Sequence, residues 1–473
     1  MDSKASSLQR RILRETTRFA GIQVMSALLL AGSNLILARL LDPHAFGAYA
    51  IGTFFLGLGG LLGDGGLGAA LLRNKGEVAE ESYRTTLTFL LLLGSTMALG
   101  FFLAAPRIAL QWQLDPGETA VLRVMAVLFL VGPLRSVPYI RLERELRFSR
   151  IAGIELAATV TRQLVTVLLA WKVGGMRALA GGQLSGALVQ LALAWRAAHG
   201  WPGLGMSSRV LRATLGEGVP VQALAIAAFF KDNLSAALLG TLMGPAAVGQ
   251  FDFGVRYAQL PVVAVNALSR VQLPVYARFD AKDPQLYSAF VGATRTALLL
   301  GIPMLVALSI AAKSIVPWLY APRWNDSIPV VHGILVNMAF GLLAGPLFTL
   351  LQGQGRARLA LQLFGAWTIA TWLLVLGVWQ YHLSAVAWAY SAVTAPVVLG
   401  MIHWAGRHLG RPLWGAYAGP LAAGLAAWSL VLLPSPSPLA RAGLAVLVYI
   451  AVLAILEGKR ALDDLRAWVA ALR

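Results

Sequence analysis

Apolar positions along this chain run in blocks of about twenty, separated by short polar turns. Twenty helical residues at about 1.5 Å each cross the roughly 30 Å hydrocarbon core of a bilayer. Fourteen such blocks are expected to span. The first six run Thr17–Arg39, Ala45–Leu72, Arg84–Ala105, Glu118–Ile140, Arg150–Trp171 and Arg177–Trp195. The next six are Gly218–Gly240, Ala247–Arg270, Tyr287–Ala311, Ile328–Leu351, Leu359–Gln380 and Ser384–Met401, and Pro412–Leu433 and Ala440–Leu456 close the chain. No water is available in hydrocarbon to satisfy backbone groups, so runs of this length are expected as helices. The fold class is therefore an all-α polytopic membrane protein.

The polar turns orient the spans. With a cytoplasmic N-terminus, cations crowd onto one set of turns, among them Lys4, Arg10, Arg11, Arg14 and Arg18, then Arg73, Lys75 and Arg84, then Arg141, Arg144, Arg147 and Arg150. The tail adds Lys459, Arg460, Arg466 and Arg473 to the same side, while the opposite turns carry only scattered bases such as Arg39, Arg107, Lys172 and Arg177. This is the positive-inside pattern, with both termini cytoplasmic. Adding or removing one span would scramble it downstream.

An internal repeat divides the chain. Leu40-Leu-Asp-Pro43-His-Ala45-Phe-Gly47-Ala-Tyr49 overlays Leu242-Met-Gly-Pro245-Ala-Ala247-Val-Gly249-Gln-Phe251 at an offset of 202 residues, sharing L-x-x-P-x-A-x-G-x-aromatic. The same offset carries Asp64 onto Asn266. Each copy holds six spans, an even number, so the copies share an orientation, as in parallel transporter repeats with the substrate path between halves. Residues 1–200 form the expected first lobe, 201–217 an amphipathic connector, 218–405 the second lobe, 406–457 the last two spans and 458–473 a cytoplasmic tail.

Composition agrees: 58% of residues are hydrophobic and only 13% charged, about half the charged share of a soluble domain. The formal charge of +18 belongs to the cytoplasmic turns and the anionic leaflet, not to nucleic acid. Cysteine is absent, which excludes disulfides, thiolate metal sites and cysteine nucleophiles.

Against that background, charges inside the spans stand out, because each costs about 2.5–3.5 kcal/mol at the bilayer centre. Arg162, Lys231, Asp232, Asp252, Arg256 and Arg295 lie deep in apolar runs, and Asp64 sits in a glycine-rich stretch of the second span. Asp252 and Arg256, four apart, share a helix face and are expected to pair. Bases outnumber acids in this set, so an anion is the expected guest, held by bidentate Arg and point-charge Lys. Arg141 and Arg144 stand where they would catch it at the cytoplasmic mouth, although topology alone also explains them. Arg123 and Arg135, near span ends, are placed to snorkel. The Gly63–Gly68 run contains G-x-G-x-x-G but has no strand before it, so close helix packing is expected there and not a dinucleotide site.

Three segments resemble the polysaccharide transporter family, the Wzx-type oligosaccharide flippases of the multidrug/oligosaccharidyl-lipid/polysaccharide exporter superfamily. They are Ala38-Arg-Leu-Leu-Asp-Pro43-His-Ala-Phe-Gly47-Ala-Tyr49, Asp64-Gly-Gly-Leu-Gly68-Ala-Ala-Leu-Leu, and Val137-Pro138-Tyr-Ile-Arg-Leu-Glu-Arg144-Glu-Leu146-Arg-Phe148. The likeness runs from about Arg18 to Arg411. It implies two six-helix lobes in a V around a central cavity, two appended helices, and a polyprenyl-pyrophosphate-linked oligosaccharide carried from the inner to the outer leaflet of the inner membrane. That family often shows Asn and Asp across the seventh span, whereas this chain has Lys231-Asp232-Asn233.

Absences narrow the mechanism. There is no G-x-x-x-x-G-K-[ST], no H-E-x-x-H or other metal spacing among the six His, and no large outer loop for glycosyl transfer. A transporter without cofactor or metal is expected, not an enzyme. An H+ or Na+ gradient, the membrane potential or removal of product would drive it, with membrane lipid around it and polymerase and chain-length proteins as candidate partners. A cation-coupled exporter of the same superfamily and a membrane glycosyltransferase are the rival readings.

Overall fold

The computed structural model describes residues 21–22, 25–64, 67, 71, 78–145, 147–198, 200–212, 226, 229–230, 233, 236–432 and 437–458. These residues are almost entirely helical, with no strand among them. In chain order the helices are α1 (Met25–Leu40), α2 (Pro43–Asp64), α3 (Glu80–Gln111), α4 (Pro116–Met125), α5 (Leu128–Arg144), α6 (Phe148–Lys172) and α7 (Gly175–Ala197). After the connector come α8 (Pro245–Tyr276), α9 (Pro284–Ile315), α10 (Ile328–Gly353), α11 (Ala357–Val378), α12 (Leu383–His408), α13 (Trp414–Trp428) and α14 (Pro438–Glu457).

Ten described segments are long and apolar enough to cross a membrane, with α4 and α5 running together as one of them, and Met25–Leu40 is a shorter apolar helix. The protein is thus a multi-pass membrane protein. The expected seventh span, Gly218–Gly240, falls largely outside the described residues.

Helix starts follow local chemistry. Pro43, Pro116, Pro284 and Pro438 occupy first-turn positions, where a missing N–H costs nothing. Asp42 accepts from the Ala45 N–H at 2.8 Å, and Asp283 accepts from the Gln285 N–H at 2.7 Å. Asp115 and Glu118 form a capping box on α4.

Contacts divide the chain into two compact units, Met1–Gly249 and Gln250–Arg473. In the first, α6 and α7 are the most intimately paired helices, and α5 packs on α3 and α7. Its boundary falls beyond the connector because residues 236–249 are held by earlier helices. The Trp112 indole donates to the Ala237 carbonyl at 3.2 Å, and Gly47 and Gly249 each meet the other motif's proline carbonyl. In the second unit α9 is the central post, contacted by α10, α13 and α14, while α12 packs on α10 and α11.

Candidate functional site

The first unit holds a cavity of about 930 Å³, walled by α2, α3, α5, α6 and α7 with Ser26 of α1. Its position follows from glycine. On α7, Gly182 and Gly186 form a small-x-x-x-small pair facing α6. A β-carbon on Gly186 would stand 2.8 Å from the Arg162 Cβ, and one on Gly182 would collide with the Thr166 hydroxyl. Bare backbone there brings α7 against α6 at the level of Arg162. The cavity's other flank is similarly thin, since Gly57, Gly59 and Gly60 of α2 and Gly94 of α3 line it. A β-carbon on Gly59 would collide with the Phe129 ring.

Two arginines and one glutamate, Arg135, Arg162 and Glu155, are the charged groups among the lining residues. The Arg162 guanidinium donates to Gln183 Oε1 across a long 3.4 Å, and its buried Nε–H has no hydrogen-bond partner among the described residues. Arg135 donates to Gln190 Oε1 at 2.6 Å, and Gln190 Nε2 donates in turn to the Tyr139 hydroxyl at 2.7 Å. The Arg135 guanidinium also lies 5.4 Å over the Tyr139 ring. The site is therefore a partly open chamber of mixed polar and apolar lining, in which, among the described residues, arginine outnumbers glutamate and one buried donor is unused.

The candidate charges fare differently. Arg162 lines the cavity. Asp252 and Arg256 pair as their spacing requires, Nε to Oδ2 at 2.7 Å, with the arginine side chain 62% exposed. Arg295 is not among the residues that line this cavity. It is 3% exposed and closed by a two-point ion pair with Glu457 of α14, one arm of which measures 3.0 Å. An aliphatic environment around a cation demands such a partner, and the last helix supplies it.

Arg141 and Arg144 are not free at a mouth either. Arg141 is buried, donates to both oxygens of Glu80 and to the Gly200 carbonyl, and lies 4.8 Å over the Tyr83 ring. Arg144 donates to the Leu71 carbonyl at 2.7 Å. Arg141 thus ties α5 to the start of α3 and to Gly200, and Arg144 ties it to Leu71. Asp64 ends α2, but its side chain lies outside the described residues, as do Lys231 and Asp232. Arg135, expected to snorkel, instead joins the cavity wall, whereas Arg123 does lie exposed over Phe102 at 5.1 Å.

Sequence reading missed Glu155, Tyr139, Gln183 and Gln190. The signal was present as helical spacing. Glu155 and Arg162 are seven apart on α6, Gln183 and Gln190 seven apart on α7, and Arg135 and Tyr139 four apart on α5. Each pair shares one face of its helix.

A two-unit helical membrane protein with an arginine-lined chamber inside one bundle has the build of a multi-pass transporter. Its fold matches the inward closed structure titled lipid II flippase MurJ, with a TM-score of 0.75 over 93% of this chain and 98% of that one at 13% identity. It also matches an inward-facing multidrug resistance MATE transporter of the MOP superfamily, with a TM-score of 0.62 over 83% and 98% at 16% identity. The chain belongs to the family described as polysaccharide biosynthesis protein, whose model covers residues 36–329. Among curated relatives it is 24% identical over 325 residues to the lipopolysaccharide biosynthesis protein WzxC of Escherichia coli (strain K12), spanning 68% of this chain and 65% of that protein. It is 23% identical over 339 residues to the teichuronic acid biosynthesis protein TuaB of Bacillus subtilis (strain 168), spanning 70% and 69%.

Proposed function

We propose that this protein is a flippase of the inner (cytoplasmic) membrane, with fourteen spans and both termini in the cytoplasm. It moves a polyprenyl-pyrophosphate-linked oligosaccharide from the cytoplasmic to the periplasmic leaflet by alternating access, for assembly of an exopolysaccharide or O-antigen. The observation that carries this reading is Arg162, a cavity-lining guanidinium whose buried Nε–H lacks a partner among the described residues. A buried donor left unsatisfied costs about 1–3 kcal/mol, and a pyrophosphate oxygen would satisfy it with a charge-assisted bond. Arg135, Gln183 and Gln190 supply further donors to the same chamber, enough for an anionic headgroup and neighbouring hydroxyls.

A cation-coupled drug exporter calls for a net acidic chamber, and among the described lining residues there are two arginines to one glutamate. Energy comes from an H+ or Na+ gradient, the membrane potential or removal of product on the far side. Polymerase and chain-length proteins are the partners that such removal requires.

The test is a leaflet-resolved assay in proteoliposomes carrying a fluorescent polyprenyl-pyrophosphate glycan. Purified protein is expected to expose the label to an impermeant quencher, and Arg162→Gln to slow this at least about tenfold. Equal rates for parent and variant, or a lengthened glycan in the recovered lipid, would overturn the reading.

A further inference from the structure

Away from the chamber, His44, Asp115 and Glu118 bring one imidazole and two carboxylates together, each offering a ligand atom within 4.8 Å of the others. His44 Nε2 lies 3.2 Å from Glu118 Oε2 and 3.5 Å from Asp115 Oδ2. Ligand atoms about 2.0–2.1 Å from a tetrahedral zinc ion sit roughly 3.3 Å apart, so both separations from His44 Nε2 match edges of a coordination triangle.

Each ligand is held by backbone chemistry unrelated to metal. His44 follows Pro43 in the first turn of α2, which the Asp42 cap fixes. Asp115 caps α4, and Glu118 is oriented by accepting the Asp115 N–H at 2.9 Å. The burial gradient suits an open site. The Glu118 side chain is 11% exposed, His44 32% and Asp115 73%, so one face is protein and the other admits water ligands. Asp42 is already used as a cap. The Arg177 guanidinium lies beside Gly117, 2.8 Å from where a β-carbon there would stand. The ion pairs shown for Asp115 and Glu118 are both with His44, so two carboxylates meet one imidazole there.

We propose that His44, Asp115 and Glu118 form a divalent transition-metal site, of the Zn2+ or Co2+ class, with water completing the shell. The imidazole favours these ions over Mg2+ and Ca2+, which prefer all-oxygen cages. The ion ties the first motif turn, beside Pro43 and Gly47, to the turn between α3 and α4. Both turns fall on the side that the cation pattern places outside the cytoplasm, so the ion reaches them from that compartment. The inference is independent of the cargo.

Full-length protein in detergent is titrated with Co2+ and then Zn2+, following Co2+ visible absorption, metal stoichiometry after dialysis and thermal unfolding. One equivalent bound with a d–d spectrum, displaced by Zn2+ and unaffected by excess Mg2+ or Ca2+, is expected, together with a raised unfolding temperature. His44→Gln is expected to lose that equivalent. Asp115→Asn, which keeps a good helix cap, is expected to weaken it about tenfold or more while remaining folded without metal. No bound equivalent in the parent, or the same spectrum and stoichiometry in both variants, would overturn the site.

Discussion

Gly249 rests directly on the carbonyl of Pro43, so closely that a β-carbon on the glycine would collide with that oxygen. The relation is reciprocal, since a β-carbon on Gly47 would collide with the carbonyl of Pro245. The two repeats of the L-x-x-P-x-A-x-G pattern thus meet through their own signature residues, each glycine receiving the other motif's proline. Backbone cannot move aside as a side-chain tip can, so Gly47→Ala and Gly249→Ala are each expected to destabilise by about 1–3 kcal/mol. Thermal unfolding in detergent measures this. An unchanged midpoint in both variants would mean that the contact is not held in solution.

Glu457 and Arg295 couple the last helix to the central post of the second unit. Removing either partner leaves a buried charge, so Arg295→Ala and Glu457→Ala are expected to lose about 3–5 kcal/mol each. The pair Arg295→Met with Glu457→Leu should recover most of that stability and keep lipid movement. If the double variant folds but transports nothing, Arg295 contacts cargo after all.

Arg141 makes the same kind of distinction at the other end of the bundle. Arg141→Ala removes its bonds to Glu80 and Gly200 and its ring contact with Tyr83. Glu80 is 64% exposed, which discounts the ion pair, so a loss of about 1–3 kcal/mol is expected, with flipping retained below the new unfolding midpoint. Unaltered stability with abolished flipping would instead place Arg141 in cargo capture.

Gln190 allows chamber charge to be separated from chamber structure. Gln190→Glu keeps an acceptor for Arg135 but cancels its charge, so stability should hold or rise while flipping of the pyrophosphate lipid falls. Gln190→Leu leaves Arg135 and the Tyr139 hydroxyl without their shared partner and should lower stability by about 1–3 kcal/mol. A Gln190→Glu protein that flips at the parental rate would remove positive charge from the mechanism.

Much of the architecture was legible because lipid imposes a one-dimensional code. Span length, cation placement and helix starts are each set by residues close together in the chain, and the described helices from α2 onward follow the expected blocks. The Asp252–Arg256 pair was legible for the same reason, being four residues apart on one helix. The cavity was legible only in part. Arg162 was found by its depth, but the partners of Arg141 and Arg295 come from residues 61 and 162 positions away, beyond any helical period.

The linear order of residues determined an all-α membrane chain, its doubled motif and an excess of intramembrane bases. Only tertiary packing decided which of those bases are neutralised and which line a chamber. The physical reason is that a charge in apolar surroundings takes whatever partner the fold brings near. Glu457 reaches Arg295, Glu80 reaches Arg141, and Arg162, among the described residues, bonds a glutamine. The same holds for His44 and Glu118, 74 residues apart, whose meeting no spacing rule announces.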